Sequence, residues 1–221
     1  MGRYGGAVEL DFYRHGLAEI PDEVWSAPEL WVLNLASNQL TSVPARIGTL
    51  TSLHTLDLGH NQLTSVPDEL GSLPNLTEYL YLSDNQLTEL PDSLCRLDKL
   101  RYLGATDNGL VRLPEDIGSM RSLRELRLYY NKLSSLPDSF GSLTALRELY
   151  LRGNQLSELP SSIGALQDLR HLDLRENQLV TLPEELLDLP KLGKLDLRWN
   201  RRLELPTWLP KLEAQDCVVL L

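Results

Sequence analysis

The sequence predicts an α/β solenoid, with a parallel β-sheet on its concave face and short turns or helical segments on its convex side. Three observations carry this prediction. An Asn-x-Leu triplet recurs every 23 residues, with a single step of 24. Leucines two residues apart precede nearly every triplet, which is the pattern of a short strand with one buried face. A Leu-Pro pair follows at a fixed distance and disfavours helix there, because proline restricts the residue before it.

The asparagine of each triplet is expected to sit where the chain turns after its strand. Its side chain both donates and accepts hydrogen bonds, so it can satisfy backbone groups of neighbouring turns that would otherwise be buried without partners. Glycines on the outer side are expected to supply a permissive backbone. The asparagines are Asn38, Asn61, Asn85, Asn108, Asn131, Asn154 and Asn177, and Asn200 continues the series although Arg202 takes the leucine place. The glycines are Gly48, Gly71, Gly118, Gly141 and Gly164.

The whole chain, 1–221, is predicted to form one domain. Residues 7–29 form an N-terminal capping repeat with His15 at the asparagine place, 30–191 form seven regular repeats, and 192–221 form a C-terminal capping repeat and a final strand. In that strand, Val218 and Leu220 are expected to point inward and Val219 and Leu221 outward. One extra residue between Leu76 and Leu82 predicts either a bulge or a functional kink.

Residues 146–168 give a clear copy of the unit, with Leu146, Leu149, Leu151, Asn154, Leu156, Leu159, Pro160, Ile163, Gly164 and Leu166. On these residues the chain resembles the leucine-rich-repeat family over nearly its whole length. The 23-residue variant is similar to the repeats of intracellular scaffolds such as scribble and erbin, plant Ras-group-related proteins and bacterial homologues. The stretch 208–214 resembles the end of bacterial proteins of this type. The resemblance implies a horseshoe fold and a role in intracellular signalling or as a bacterial effector.

Side chains between the strand leucines should line the concave face. Tyrosine and arginine are common at protein interfaces, so the tyrosines there predict a contact patch, although tyrosine is also simply a good strand former. The arginines form a ladder that is either a solvated salt network with nearby carboxylates or a receiver for an acidic or phosphorylated partner. The candidate partner-binding residues are Tyr79, Tyr81, Tyr102, Arg127, Tyr129, Tyr130, Tyr150, Arg152, Arg175 and Arg198.

Charge and cysteine content set the expected surroundings. The net charge of −10 argues against nucleic-acid binding, which needs a basic surface. Cys95 and Cys217 form no metal-binding or disulfide pattern, which favours a reducing compartment. Residues 1–6 lack the apolar segment of a signal peptide, and no apolar run approaches the roughly 20 residues that cross a bilayer. We therefore expect a cytoplasmic protein that does not bind membranes.

No arrangement of nucleophile, base and orienting group points to catalysis, and no cofactor or metal is expected. His60, Asp84 and Asp107 share one column and form only a weak cation-site candidate. The sequence thus predicts a monomeric, non-enzymatic scaffold that binds a protein partner on its concave face. The alternative is a structural protein that self-associates through its exposed C-terminal edge strand.

Overall fold

The computed structural model describes residues 3–4, 7–27 and 29–221. The remaining positions lie outside the described residues: four of them, 1, 2, 5 and 6, belong to the segment examined for a signal peptide, and residue 28 belongs to the first predicted repeat.

The described strands form one open eleven-stranded sheet whose order follows the chain, β1 to β11. Strand β1 pairs with β2 antiparallel, and each later strand pairs with its predecessor in parallel. This arrangement confirms the predicted α/β solenoid horseshoe. The strands are β1 (Arg3–Tyr4), β2 (Ala7–Asp11), β3 (Leu30–Asn34), β4 (Thr55–Asp57), β5 (Tyr79–Tyr81), β6 (Tyr102–Gly104), β7 (Glu125–Arg127), β8 (Glu148–Tyr150), β9 (His171–Asp173), β10 (Lys194–Asp196) and β11 (Val218–Leu220).

From β2 onward, a short helical turn lies between each strand and the next. Most begin directly after a proline in extended conformation, because proline fixes φ and its missing N–H is not needed at a helix start. Among the described residues, no helix is both long enough and apolar enough to cross a lipid bilayer. The α-helices are α1 (Asp22–Ser26) and α2 (Leu209–Glu213), and the 3₁₀ turns are Ala45–Thr49, Asp68–Ser72, Asp92–Arg96, Ile117–Ser119, Asp138–Ser142, Ser161–Ala165 and Glu184–Asp188.

Leucines from every turn pack into one continuous core between the sheet and the 3₁₀ turns. The middle leucine of each regular strand, such as Leu126 and Leu149, is fully buried, while its strand neighbours reach the concave face. A single turn cannot cover its own apolar face, so stability accumulates from contacts between neighbours.

The outer glycines have a different role from the one the sequence suggested. Gly71 and Gly118 do not have positive φ, so conformational freedom does not explain them. A Cβ atom on Gly71 would lie 2.0 Å from the Ser93 carbonyl oxygen, and one on Gly118 would lie 2.0 Å from that of Ser139. These glycines therefore permit close approach of the next turn.

The extra residue of the 24-residue repeat lies just before β5. In regular turns one carbonyl, such as that of Arg124, accepts the N–H groups of two successive residues in the next turn. Before β5 the carbonyls of Thr77 and Glu78 each accept one, from Arg101 and Tyr102 respectively. Because the insertion is absorbed there, β5 pairs in regular register with β4 and β6.

The predicted facing of the final strand was wrong for Val218 and Val219, whereas Leu221 is 62% exposed, in agreement with its predicted outward facing. Val219 is in register with the inward-pointing Leu195 and packs against the core, whereas Val218 is 56% exposed. Only one residue separates the buried Cys217 from Val219, while two separate Leu192 from Leu195, so the alternation is offset by one residue.

The asparagine column binds the turns to one another. In Asn154, Oδ1 accepts the N–H of Leu133 at 3.0 Å, and Nδ2 donates to the carbonyls of Leu128 and Leu151, both at 2.9 Å. Two of these partners, Leu128 and Leu133, belong to the preceding turn. The same bonds recur at Asn38, Asn61, Asn85, Asn108, Asn131, Asn177 and Asn200.

The residue before each asparagine lies in the left-handed region, with φ between 50° and 71°. Gly153 is the one glycine among these eight positions, and a conformation of this kind costs other residues about 1–2 kcal/mol each. The hydrogen bonds of the following asparagine offset that cost. The positions are Ser37, His60, Asp84, Asp107, Tyr130, Gly153, Glu176 and Trp199.

Replacing Asn154 by alanine is expected to destabilise the protein by about 3 kcal/mol, because buried backbone groups of two turns lose their partners. The exposed neighbour Gln155 provides a matched control, and Gln155→Ala is expected to stay within about 0.5 kcal/mol of wild type. Urea unfolding followed by circular dichroism measures both. Equal losses in the two variants would contradict the role assigned to the asparagine column.

Candidate functional site

Three tyrosines form the first aromatic group on the concave face. Tyr79 and Tyr81 alternate along β5, and Tyr102 lies at the start of β6. The ring centroids of Tyr81 and Tyr102 are 4.8 Å apart, and that of Tyr79 lies 5.8 Å from Tyr81 and 5.6 Å from Tyr102. These separations are those of interacting rings, so the group acts as one surface.

A second group lies further along the sheet. Tyr129 is 5.2 Å from Tyr150 and 6.4 Å from Tyr130 between ring centroids. His171 of β9 meets Tyr150 edge-on at 5.0 Å and extends the group by one strand. Gly153 leaves room for the Tyr130 ring, because a Cβ atom on Gly153 would lie 2.4 Å from that ring.

Arg127 at the end of β7 joins the two aromatic groups. Its guanidinium carbon lies 5.7 Å from the Tyr102 ring centroid and 5.4 Å from that of Tyr150, both within the range of cation–π attraction. An ion pair with Glu125 fixes the head group. The six candidate tyrosines and Arg127 therefore form a continuous surface across β5 to β8.

Arg152 continues this surface toward the C-terminal turns. It makes a two-point hydrogen bond to Glu176, at 2.9 and 3.2 Å, and its guanidinium lies over the rings of Tyr130 and Trp199. Trp199 also receives the guanidinium of Arg198 at 5.6 Å. Aromatic rings and guanidinium groups therefore alternate in the order Tyr130, Arg152, Trp199 and Arg198.

The last two arginines of the ladder rest on buried carboxylates. Arg175 makes a two-point hydrogen bond to Asp173 at 2.9 and 2.6 Å, and Arg198 makes one to Asp196 at 2.9 and 2.7 Å. Both aspartates are only 1% exposed, and Arg175 also lies 3.5 Å from Asp196. This geometry is that of the internal salt network, since each guanidinium already has a carboxylate partner.

Burial changes the proton affinity of this surface. It raises the pKa of Tyr102 and of Tyr129 to about 12, because the tyrosinate would lose its hydration. The pKa of Tyr150 is also raised, first by burial and then by the hydrogen bond that its hydroxyl donates to Glu148. Tyr102, Tyr129 and Tyr150 therefore present neutral hydroxyls at physiological pH.

The weak cation-site candidate has little support. Nδ1 of His60 lies 3.3 Å from Oδ2 of Asp84, and both side chains are exposed. Within the part of the chain that the structure describes, no three His, Cys, Asp or Glu side chains are grouped so as to hold a metal ion. Cys95 and Cys217 are buried and unbonded to each other, and burial raises the pKa of both thiols to about 11.

All ten candidate residues lie on the concave side, but they form two kinds of surface: the aromatic surface around Arg127, and the paired arginines beyond it. Two further members were not among the candidates, namely Trp199, which is 54% exposed, and His171. Trp199 occupies the same repeat position as Tyr130, and this shared position was the signal in the sequence.

Stability is expected to fall as pH rises from about 10 to about 12. Tyr102 and Tyr129 have raised folded-state pKa values, so their contribution is complete below the ordinary tyrosine value of 10.0 and is lost as pH rises through the folded value. Urea unfolding of wild type and of Tyr102→Phe/Tyr129→Phe across this range measures the effect. The double variant should lose less stability between the two pH values. Parallel curves would contradict the shared burial of these hydroxyls.

Comparison with protein-family models gives two matches. The leucine rich repeat model matches residues 28–78, 52–110 and 106–156, and the leucine-rich repeat region model matches 138–216. A comparison with curated protein sequences found no match.

Solved structures extend the likeness. The leucine-rich repeat domain of the type III effector XopL is 30% identical, with a TM-score of 0.85 over 97% of this chain and 76% of that one. A leucine-rich-repeat protein of Leptospira interrogans is 31% identical, with a TM-score of 0.71 over 96% of this chain and 65% of that one.

The plant peptide hormone receptor RGFR1, solved in complex with RGF2, is 34% identical, with a TM-score of 0.73 over 81% of this chain and 30% of that one. The chain thus spans just under two thirds of the Leptospira protein and less than a third of the plant receptor. The matched models together cover most of the repeats built around the asparagine column, and the chain belongs to the leucine-rich-repeat family.

Proposed function

We propose that this chain is a protein-binding scaffold whose concave face recognises a protein partner. The observation that carries the proposal is the continuous aromatic surface across β5 to β8, joined by Arg127. Tyrosine and arginine together are typical of the residues that dominate binding energy, because a ring supplies apolar area and a polar tip.

Rigidity supports the same proposal. The rings lie on strands held in register by the sheet and by the asparagine column, and Arg127 and Arg152 are fixed by ion pairs. A surface ordered before binding loses little conformational entropy when a partner docks. The proposed contact residues are the ten candidates together with Trp199.

Related structures favour a protein or peptide as the partner. RGFR1 was solved with RGF2, and PEPR1, a further similar structure at 31% identity, with AtPEP1. We propose an acidic or phosphorylated partner only away from Arg175 and Arg198, because these two guanidinium groups already donate hydrogen bonds to Asp173 and Asp196.

The cellular setting forms part of the proposal. We place the protein in the cytoplasm, in intracellular signalling or as a bacterial effector. The likeness to the domain of XopL, a type III effector, supports the second role. The buried, unpaired Cys95 and Cys217 are consistent with a reducing compartment. We further propose that the chain is not an enzyme and needs no cofactor, since leucine-rich-repeat domains are generally interaction modules.

A Tyr81→Ala/Tyr129→Ala variant tests the concave site in pull-downs from native cell extract. Loss of both rings should abolish capture of the partner, because one residue is removed from each aromatic group. Val111→Ala/Val180→Ala is the matched control, since it removes exposed apolar side chains elsewhere. Circular dichroism verifies folding of both variants. Equal capture by all three proteins would exclude the concave centre as the binding site.

The C-terminal edge carries the alternative function, self-association. Strand β11 pairs only with β10 among the described strands, and Val218 and Leu221 are 56% and 62% exposed. An unpaired edge with exposed apolar side chains can accept a strand from a second copy.

We expect the chain to remain a monomer in multi-angle light scattering at every concentration measured, because β11 spans only three residues and offers few edge hydrogen bonds. A dimer that forms with rising concentration and is abolished by Val218→Lys would establish self-association instead. Val180→Lys, an exposed valine away from this edge, is the control.

A further inference from the structure

A second ladder of arginines lies outside the concave face. It occupies the position immediately before strands β6 to β9 and consists of Arg101, Arg124, Arg147 and Arg170. We call the surface formed by the residues that lead into these strands the entrance flank. The N–H of each of the last three donates to the carbonyl of the arginine one turn earlier, at 2.8 Å in every case. The four arginines therefore lie in four successive turns of the solenoid.

A groove opens on this flank at the N-terminal end of the ladder. It measures about 440 Å³ and has four cationic side chains, all of them exposed. Three uncharged residues complete the wall, and no carboxylate lines it. The lining consists of Thr77, Lys99, Arg101, Arg121, Ser122, Arg124 and Ala145.

The flank arginines differ from the concave ones in their partners. Carboxylates neutralise the two ends of the row, where Glu78 pairs with Arg101 at 2.8 Å and Asp168 pairs with Lys191. Between these ends no ion pair within 4.0 Å forms among the described residues, which leaves Lys99, Arg121, Arg124, Arg147 and Arg170 unpaired.

The Nε atom of Arg147 is buried and has no hydrogen-bond partner among the described residues. Asp168, which pairs with Lys191, is a counter-charge for the C-terminal end of the row, because the charges of Arg147 and Arg170 help to lower its pKa after the larger effect of Lys191. Like charges on neighbouring rungs, about 4.8 Å apart, repel each other unless counter-charges lie between them.

We propose that the entrance flank binds an acidic polypeptide segment, with its carboxylates on Arg121, Arg124 and Lys99. Arginine pairs with carboxylates through two parallel hydrogen bonds, and the cations are spread along the groove as the charges of an acidic peptide are. The chain's net charge of −10 repels a long polyanion such as a nucleic acid or an anionic membrane beyond the flank as well, whereas a short acidic segment contacts the flank alone. This surface does not depend on the proposed concave site.

Fluorescence anisotropy with a labelled peptide of alternating glutamate and serine, at low ionic strength, tests the proposal. Arg121→Glu/Arg124→Glu is expected to raise the Kd by about tenfold or more, since two contacts become repulsive. Arg201→Glu/Arg202→Glu is the matched control, because both residues are exposed and unpaired and lie elsewhere. Each Arg→Glu replacement changes the charge by −2, so either double variant has a net charge of −14 instead of −10. The control variant should alter the Kd by less than about threefold.

Amide chemical shifts should move on peptide addition at residues 99–101 and 121–124. Equal weakening in the two double variants, shifts confined to the concave face, or the absence of binding would each overturn the proposal. Binding only when the serines are phosphorylated would overturn the carboxylate assignment. Tyr81→Ala/Tyr129→Ala should bind the peptide like wild type, so failure of the concave site and failure of the flank are distinguishable.

Discussion

The asparagine column is the constraint on which the rest of this solenoid depends. Each side chain joins a carbonyl of its own turn to an N–H and a carbonyl of the turn before, as Asn154 does with Leu151, Leu133 and Leu128. These groups lie where the parallel strands end, so no sheet partner is available to them. Satisfying them requires every turn to stack at the same rotation and spacing. Residues at the same position of successive repeats therefore lie next to each other in the stack, although they are about 23 residues apart in sequence.

Because equivalent positions stack, residues of the same type become neighbours. These contacts are favourable between tyrosines and repulsive between arginines. Tyrosines benefit, since rings such as Tyr81 and Tyr102 come within contact of one another. Arginines repel, and on the concave face this repulsion is offset by carboxylates placed one column away, as Asp196 is for Arg198. For Asp196, burial favours the protonated acid, but the hydrogen bonds and charge of Arg198 prevail and lower its pKa. On the entrance flank carboxylates pair with Arg101 and Lys191, whereas Arg121 and Arg124 form no ion pair within 4.0 Å in the described part of the chain.

Much of the fold could be predicted from the sequence because the residues that determine each structural feature recur in several repeats. The strands, the short convex turns and the bonding of the asparagines followed from leucine spacing and side-chain chemistry. Features that occur once were harder. The offset of β11 depends on one residue fewer between Cys217 and Val219, which periodicity at the last turn does not reveal. The left-handed conformation of Tyr130 and Trp199 was hidden because neither is glycine, and tertiary hydrogen bonds enforce it.

The sequence allowed the candidate residues to be assigned to one face, but it did not reveal how their side chains are arranged. Sequence placed ten candidates on one face, yet which carboxylate each arginine would choose depends on distances of a few ångströms. A Cβ atom on Gly104 would lie 2.8 Å from the Tyr102 hydroxyl, so the glycine lets that ring lie where Arg127 meets it. Arg175 and Arg198, in contrast, bind buried aspartates. An anionic partner at those two arginines would have to displace carboxylates that are already ordered, leaving Asp173 and Asp196 buried without counter-charge. A partner at the proposed concave site would therefore bind through aromatic area. An acidic segment at the proposed flank site would bind through electrostatic attraction, because no carboxylate lines the groove that contains Arg121 and Arg124.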